Sequence, residues 1–242
     1  MSRRTTVIVT GLIGSGKSAV CALLRERGIP VYDSDARTKR LYECSIGLVE
    51  RLEEALGQPL RGEDGRLDRK ALARVIFSGD SARETVEGIV YPLVLRDFRR
   101  WRARQKNAPL VVLESAVILE KPLFDGLADA AVLVTAPDAV RLERVMRRDG
   151  ASREQVLARM AAQHIPLEKV SVTLSNDGTP EELKAAVEQV FFGKNSYICK
   201  LIEKTIHDEN GFSKNPFHPW SARTFHLYRP VPRRRYRRVP RG

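Results

Sequence analysis

Thr5-Thr-Val-Ile-Val-Thr10-Gly11-Leu-Ile-Gly14-Ser-Gly-Lys17-Ser18 decides the reading of this chain. Thr5–Thr10 is a β-branched run bounded by glycine, the pattern of a buried strand. Ser18–Arg27 follows with Ala19, Val20, Leu23 and Leu24 at helical spacing, and Gly28 stands where a helix stops. Between strand and helix, Gly11–Ser18 satisfies the pattern G-x-x-x-x-G-K-[ST]. Its glycines let the main chain wrap closely, so that the amides of Gly14, Ser15, Gly16, Lys17, Ser18 and Ala19 can cradle phosphate oxygens. The helix beginning there adds its partial positive charge. In this pattern Lys17 reaches the β- and γ-phosphates and the Ser18 hydroxyl binds Mg²⁺. The loop implies a nucleotide; it does not by itself name a reaction.

Outward from the loop, four more short apolar runs fit strands: Ile29–Tyr32, Leu110–Leu113, Ala130–Thr135 and Val170–Leu174. Helical patterns separate the later ones, at Pro137–Arg148, Ser152–Gln163 and Pro180–Phe192. Strand alternating with helix predicts an α/β fold, a parallel five-stranded sheet with helices on both faces. One stretch breaks the alternation. From about 36 to 107 the periodicity is helical, with Arg83–Arg104 the longest piece and Gly62-Glu-Asp-Gly65 a loop within it. It is expected to be a helical insertion over the carboxyl ends of the strands.

Composition locates the charge. The chain has 242 residues, 43% hydrophobic and 30% charged, with a formal net charge of +12, enough to bury a core and inconsistent with disorder throughout. Residues 1–192 hold 30 Lys+Arg against 27 Asp+Glu, or +3, and residues 193–242 hold 12 against 3, or +9. The basicity belongs to a C-terminal extension, 193–242, and not to the body. Its last part, Arg229–Gly242, is seven-fourteenths arginine without apolar periodicity, and is expected to be disordered. Tyr197–Ile206 has the spacing of a short helix. Weak polyanion contact is the most this extension implies; a body without basic excess or stacked aromatics argues against specific nucleic-acid recognition. Three widely spaced cysteines (Cys21, Cys44, Cys199) suggest neither a disulfide framework nor a zinc site. No apolar run is long enough to span a bilayer, and a soluble, cytoplasmic protein is expected.

Asp33 and Asp35 follow the second strand, where the open ends of parallel strands form the ligand crevice. A carboxylate there can accept the proton of an attacking hydroxyl; alternatively Asp35 caps the helix beginning at Ala36. Arg141, Arg144 and Arg148 repeat at three- and four-residue spacing on one helix face, suited either to a transferring phosphoryl group or to solvent. His164, the body's only histidine, reads as a helix-end residue.

With these residues in order, the sequence resembles the dephospho-CoA kinase family over roughly Val7–Phe192. The resemblance is carried by the loop Gly11–Ser18, by Gly28-Ile-Pro-Val-Tyr-Asp33-Ser-Asp35-Ala, and by Asp64-Gly-Arg-Leu-Asp-Arg69 with Leu72 and Phe77. Glu114–Glu120, Arg144-Val-Met-Arg147-Arg148-Asp149, Arg159, Gln163 and Asn176-Asp-Gly178 follow. It departs from the family at Leu12 (usually glycine), Tyr91 (histidine), Ala116 (proline), Arg141 (glutamine) and Val172 (aspartate). The resemblance implies a P-loop kinase fold over 1–192, with a lid at about 138–165, and transfer of the ATP γ-phosphoryl group to the ribose 3′-hydroxyl of dephospho-CoA. In that scheme Lys17, Asp35, Arg144 and Arg148 are catalytic, Ser18 holds Mg²⁺, and Asp33, Arg69 and Tyr91 touch substrate. Another small-molecule or nucleoside monophosphate kinase is the alternative enzyme, a nucleotide-dependent RNA-binding module the alternative outside enzymes. The oligomeric state is open.

Overall fold

The expected strand Thr5–Thr10 (β1) lies at the centre of a five-stranded parallel sheet of order β2-β3-β1-β4-β5, with all six of its residues buried. A computed structural model describes residues 4–210. β3 (Leu110–Glu114) and β4 (Ala130–Thr135) flank β1, while β2 (Val31–Asp33) and β5 (Val172–Ser175) form the edges. Buried on both faces, the three inner strands are near-continuous aliphatic runs, as a helix-covered parallel sheet requires.

Both edge strands begin later than expected, for the same reason. The Ile29 amide is used to close the preceding helix, donating to Leu24 O at 3.0 Å beyond Gly28 (φ 76°), and Pro30 has no N–H to give. Pairing therefore starts at Val31. Likewise the Val170 amide closes a 3₁₀ turn on Leu167 O, so β5 starts at Val172, opposite Val132. Val172, a departure from the family, is thus a strand residue packed against the core.

One face of the sheet is covered by α1 (Lys17–Glu26), α8 (Pro180–Phe192) and α9 (Tyr197–Asn210) around Val7, Val9, Val132 and Val134. The other is covered by the insertion: α2 (Ser34–Cys44), α3 (Ile46–Leu56), α4 (Arg69–Phe77) and α5 (Asp80–Arg104). α5 supplies Val86, Val90, Val94, Leu95 and Phe98 to this second core, and runs unbroken through Pro92. The expected loop at Gly62–Gly65 is a tight turn closed by an antiparallel bridge between Arg61 and Leu67. α6 (Asp138–Asp149) and α7 (Arg153–Ala161) occupy the stretch where a lid is expected and share a small core of Leu142, Val145 and Val156.

The boundary expected at residue 192 needs correction. α9 is longer than the expected Tyr197–Ile206, and it belongs to the body. Ile198 and Ile202 join the first core at 0% and 2% exposure, and Thr5 Oγ1 donates to Thr205 Oγ1 at 3.2 Å. Net charge concealed this, because two isoleucines and a threonine add nothing to a tally of lysines. The run Arg229–Gly242 lies outside the described residues. Among those described, no helix is long and apolar enough to cross a membrane.

Candidate active site

Parallel pairing brings the carboxyl ends of the strands to one edge. β2 and β3 end with Asp33 opposite Glu114, and Val9 of β1 is also in register with Glu114. The phosphate loop leaves β1 at this edge. Gly14 (φ 79°) and Gly16 (φ 95°) occupy the left-handed region, and a Cβ on Gly16 would collide with the side-chain amide of Asn176. The Asn176 amide group donates to Ser15 O at 2.8 Å, its main-chain N–H donates to Thr135 O at 2.8 Å, and its carbonyl accepts Arg144 Nη1 at 3.0 Å. One buried residue after β5 thus ties together the loop, β4 and the lid's Arg144.

Lys17 Nζ donates to Gly11 O at 2.7 Å. Burial pushes its pKa down, while the carboxylates of Glu114 and Asp35 hold it up and the Arg148 charge adds to the lowering. Asp35 responds the opposite way. Burial raises its pKa, the neighbouring Asp33 carboxylate raises it further, and Lys17 opposes both. The cap of α2, left open by the sequence, is decided by the structure. It is Asp33, not Asp35, that caps α2, its Oδ1 accepting the Ala36 amide at 2.9 Å. Asp35 is the second residue of α2, in its first turn.

Ser18 Oγ donates to Glu114 Oε1 at 2.7 Å, and Arg25 approaches the other Glu114 oxygen at 3.6 Å. Glu114 is 7% exposed. Sequence reasoning left it outside the site; its signal was an acid closing an otherwise aliphatic strand. Asn176 and Gln163 were likewise noted only within the family pattern. Among the described residues no group of three or more His, Cys, Asp or Glu side chains could hold a metal ion by itself.

The three arginines expected on one face of α6 do not act together. Arg141 is buried under the loop tip, Arg144 reaches Asn176, and Arg148 turns back on Asp149, with Nε to Oδ1 at 2.7 Å. Arg159 grips the same carboxylate at 2.7 Å, and the hydrogen bonds from these two arginines hold Asp149 down to about 2. In the insertion, Arg69 pairs with Glu43 at 2.6 Å beside a hollow of about 370 Å³ lined by Tyr42, Arg61 and Arg66. Tyr91 donates to Glu87 Oε1 at 3.2 Å, stacks edge-on against Phe124, and lies below Lys121 at 5.7 Å. Burial, then Glu87, Glu120 and Tyr42, raise the Tyr91 pKa.

A family model described as dephospho-CoA kinase matches residues 5–182. Among curated relatives, a dephospho-CoA kinase of Thermus thermophilus is 42% identical over 187 residues, covering 75% of this chain and 88% of the relative. One of Bacteroides fragilis is 34% identical over 196 residues, covering 79% and 95%. A crystal structure of a Thermus thermophilus protein superposes with a TM-score of 0.67 at 41% identity, covering 78% of this chain and 97% of that one. A dephospho-CoA kinase from Campylobacter jejuni superposes at 0.57 with 20% identity, over 78% and 96%, a likeness of fold.

Proposed function

The chain belongs to the dephospho-CoA kinase family, and we propose from that premise how its own residues divide the reaction. The protein transfers the γ-phosphoryl group of ATP to the ribose 3′-hydroxyl of dephospho-CoA, giving coenzyme A and ADP. Alternatives in which the chain serves another small-molecule acceptor, or binds RNA, lose their ground to a match that spans loop, insertion and lid together.

The observation that carries the division of labour is the pair Lys17 and Asp35, close enough to act on each other's charge and shifted in opposite directions. A carboxylate whose pKa is raised is a better proton acceptor than one in water, and Asp35 takes the 3′-hydroxyl proton as the oxygen–phosphorus bond forms. Lys17 meets the charge on the β- and γ-phosphate oxygens, and the amides of Gly14–Ala19 receive the phosphates at the start of α1. Ser18 and Glu114 offer a hydroxyl and a carboxylate oxygen beside that place, the donor set a hard divalent cation takes. Mg²⁺ held there would neutralise phosphate charge. Arg144, anchored over Gly16 by Asn176, and Arg148, within electrostatic reach of Lys17, stabilise the group in transfer. Asp33 serves substrate indirectly, by capping the helix that presents Asp35 and by keeping its pKa high. Arg69, beside the insertion's hollow, and Tyr91, held by Glu87, meet the acceptor. Cytoplasmic work, as expected for the last step of coenzyme A synthesis, completes the reading.

Coupled measurement of ADP release with ATP and Mg²⁺ tests it. Turnover is expected with dephospho-CoA and not with nucleoside monophosphates. Equal turnover without dephospho-CoA, or a preference for a nucleoside monophosphate, would overturn it.

A further inference from the structure

Ile13, at the tip of the phosphate loop, is held on three sides by the lid. Its amide donates to Gln163 Oε1 at 2.6 Å, its carbonyl accepts Arg141 Nε at 3.0 Å, and its side chain packs against the lid core of Leu142, Val145 and Val156. Arg141 stands in the first turn of α6 and Gln163 just past the end of α7. Both ends of the lid therefore converge on one residue. The next residue reinforces the contact. A Cβ on Gly14 would lie 2.5 Å from Arg141 O, so the helix rests directly on the loop's main chain.

Arg141 is an expensive choice for packing. It is 5% exposed; Nη1 reaches Asp138 Oδ1 at 2.7 Å, but Nη2 is buried with no partner among the described residues. An unmet buried donor lowers stability, and an apolar side chain would serve folding alone at least as well. The benefit lies in the loop. Amides that converge on a phosphate repel one another when no phosphate is present, so an empty loop tends to relax, and affinity is lost to reordering it. With both main-chain groups of Ile13 engaged by the lid, the amides from Gly14 onward stay available in their receiving arrangement.

We propose that Arg141 and Gln163 are positioning residues for the nucleotide, which clamp the phosphate loop through Ile13 and join its shape to the root of the lid. This rests on the reading that the loop binds ATP.

The full chain, with Arg141→Met, Gln163→Met and both together, is titrated calorimetrically with ATP–Mg²⁺ and, separately, with dephospho-CoA, and melted without ligand. Each single change is expected to weaken ATP binding about fivefold, the worth of one hydrogen bond, with dephospho-CoA affinity held within twofold. Because both act through the same residue, the double variant should bind ATP no more than twofold more weakly than the worse single variant, while losses in Tm add. Gln163→Glu, which keeps the acceptor, should restore most of the ATP affinity lost in Gln163→Met. Unchanged ATP affinity in the single variants, equal losses for both ligands, or fully additive losses for ATP overturn the proposal. Should Arg141→Met not fold, the half-buried Gln163 position decides alone. A wild-type chain that does not bind ATP overturns the functional reading, and the clamp with it.

Discussion

Around Lys17, charges of both signs crowd a half-buried lysine and shift one another; in the insertion, Arg69 and Glu43 pair at the surface. Lys17 lies within electrostatic reach of the buried Glu114 carboxylate and of Asp35. Arg69 and Glu43, by contrast, pair at 2.6 Å with both side chains more than half exposed. Such an exposed pair contributes little to stability, and so is easily exchanged for a substrate group. In the proposed reaction the phosphate edge keeps a field in place, and the insertion changes partners. Variants in the two regions should fail differently.

The largest effects belong to the phosphate edge. Lys17→Ala is expected to lower kcat by about a hundredfold or more while Tm holds steady or rises, since a half-buried cation whose charge is penalised by desolvation is removed. Parallel steady-state kinetics and thermal melting check it; retained turnover would break the contrast at its strongest point. Asp35→Asn should lower kcat by a similar factor with little change in KM for ATP. In the wild type, kcat/KM should fall as pH drops through the raised Asp35 pKa, above the usual carboxylate value of 3.8. The stability sign is opposite to that of a salt-bridged aspartate. A folded pKa above the unfolded one means the native state binds the proton more readily, so stability from Asp35 is present below 3.8 and is lost as pH rises through the folded value. Asp35→Asn should therefore melt no lower than wild type at pH 7.

Next in size is a change outside both regions. Ending the chain at residue 195 removes Ile198 and Ile202 from the core, at a cost of about 4 kcal/mol, whereas ending it at 210 should leave Tm unchanged; melting of the two truncated proteins distinguishes them. In the insertion, Arg69→Ala should raise KM for dephospho-CoA about tenfold, near 1.4 kcal/mol, with kcat and Tm nearly unchanged. Loss of kcat instead would mean that Arg69 works at the phosphate edge. Smallest is Asp33→Ala, which should lower stability by about 1 kcal/mol through the lost cap. Asp33→Asn should keep that stability and move the acid limb of the pH profile downward, because the carboxylate that raises Asp35 is gone.

The contrast between regions also explains what the sequence could tell. At the phosphate edge, function is written in contiguous residues. The G-x-x-x-x-G-K-S spacing dictates a turn, a helix start and a lysine together, and alternation of strand and helix placed the five-stranded sheet correctly. Glu114 and Asn176 escaped because each matters through a neighbour over 95 residues distant, Ser18 for one and Ser15 for the other. The roles of Asp33 and Asp35 were undecidable for another reason. Capping is fixed by which carboxylate turns toward an amide, and two aspartates on either side of Ser34 offer equal candidates. In the insertion, helices were legible from periodicity, but Tyr91 at the side of Glu87 and Phe124 is a fact of packing. The edge strands slipped by two residues where a preceding turn claimed an amide the periodicity had assigned to pairing.

The hydrogen bond between Thr5 and Thr205 orders events during synthesis. The strand carrying the phosphate loop leaves the ribosome about a hundred residues before β3 and β4, its two neighbours, and about two hundred before the helix that seals its foot. At 5–20 residues per second, Val7 and Val9 wait on the order of ten seconds or more before their core is closed. Throughout that interval the nascent chain presents a β-branched apolar strand with no partner, the kind of segment that chaperones hold and that aggregates when they do not. The part of the molecule most readily recognised in sequence is therefore made well before the neighbours that secure it.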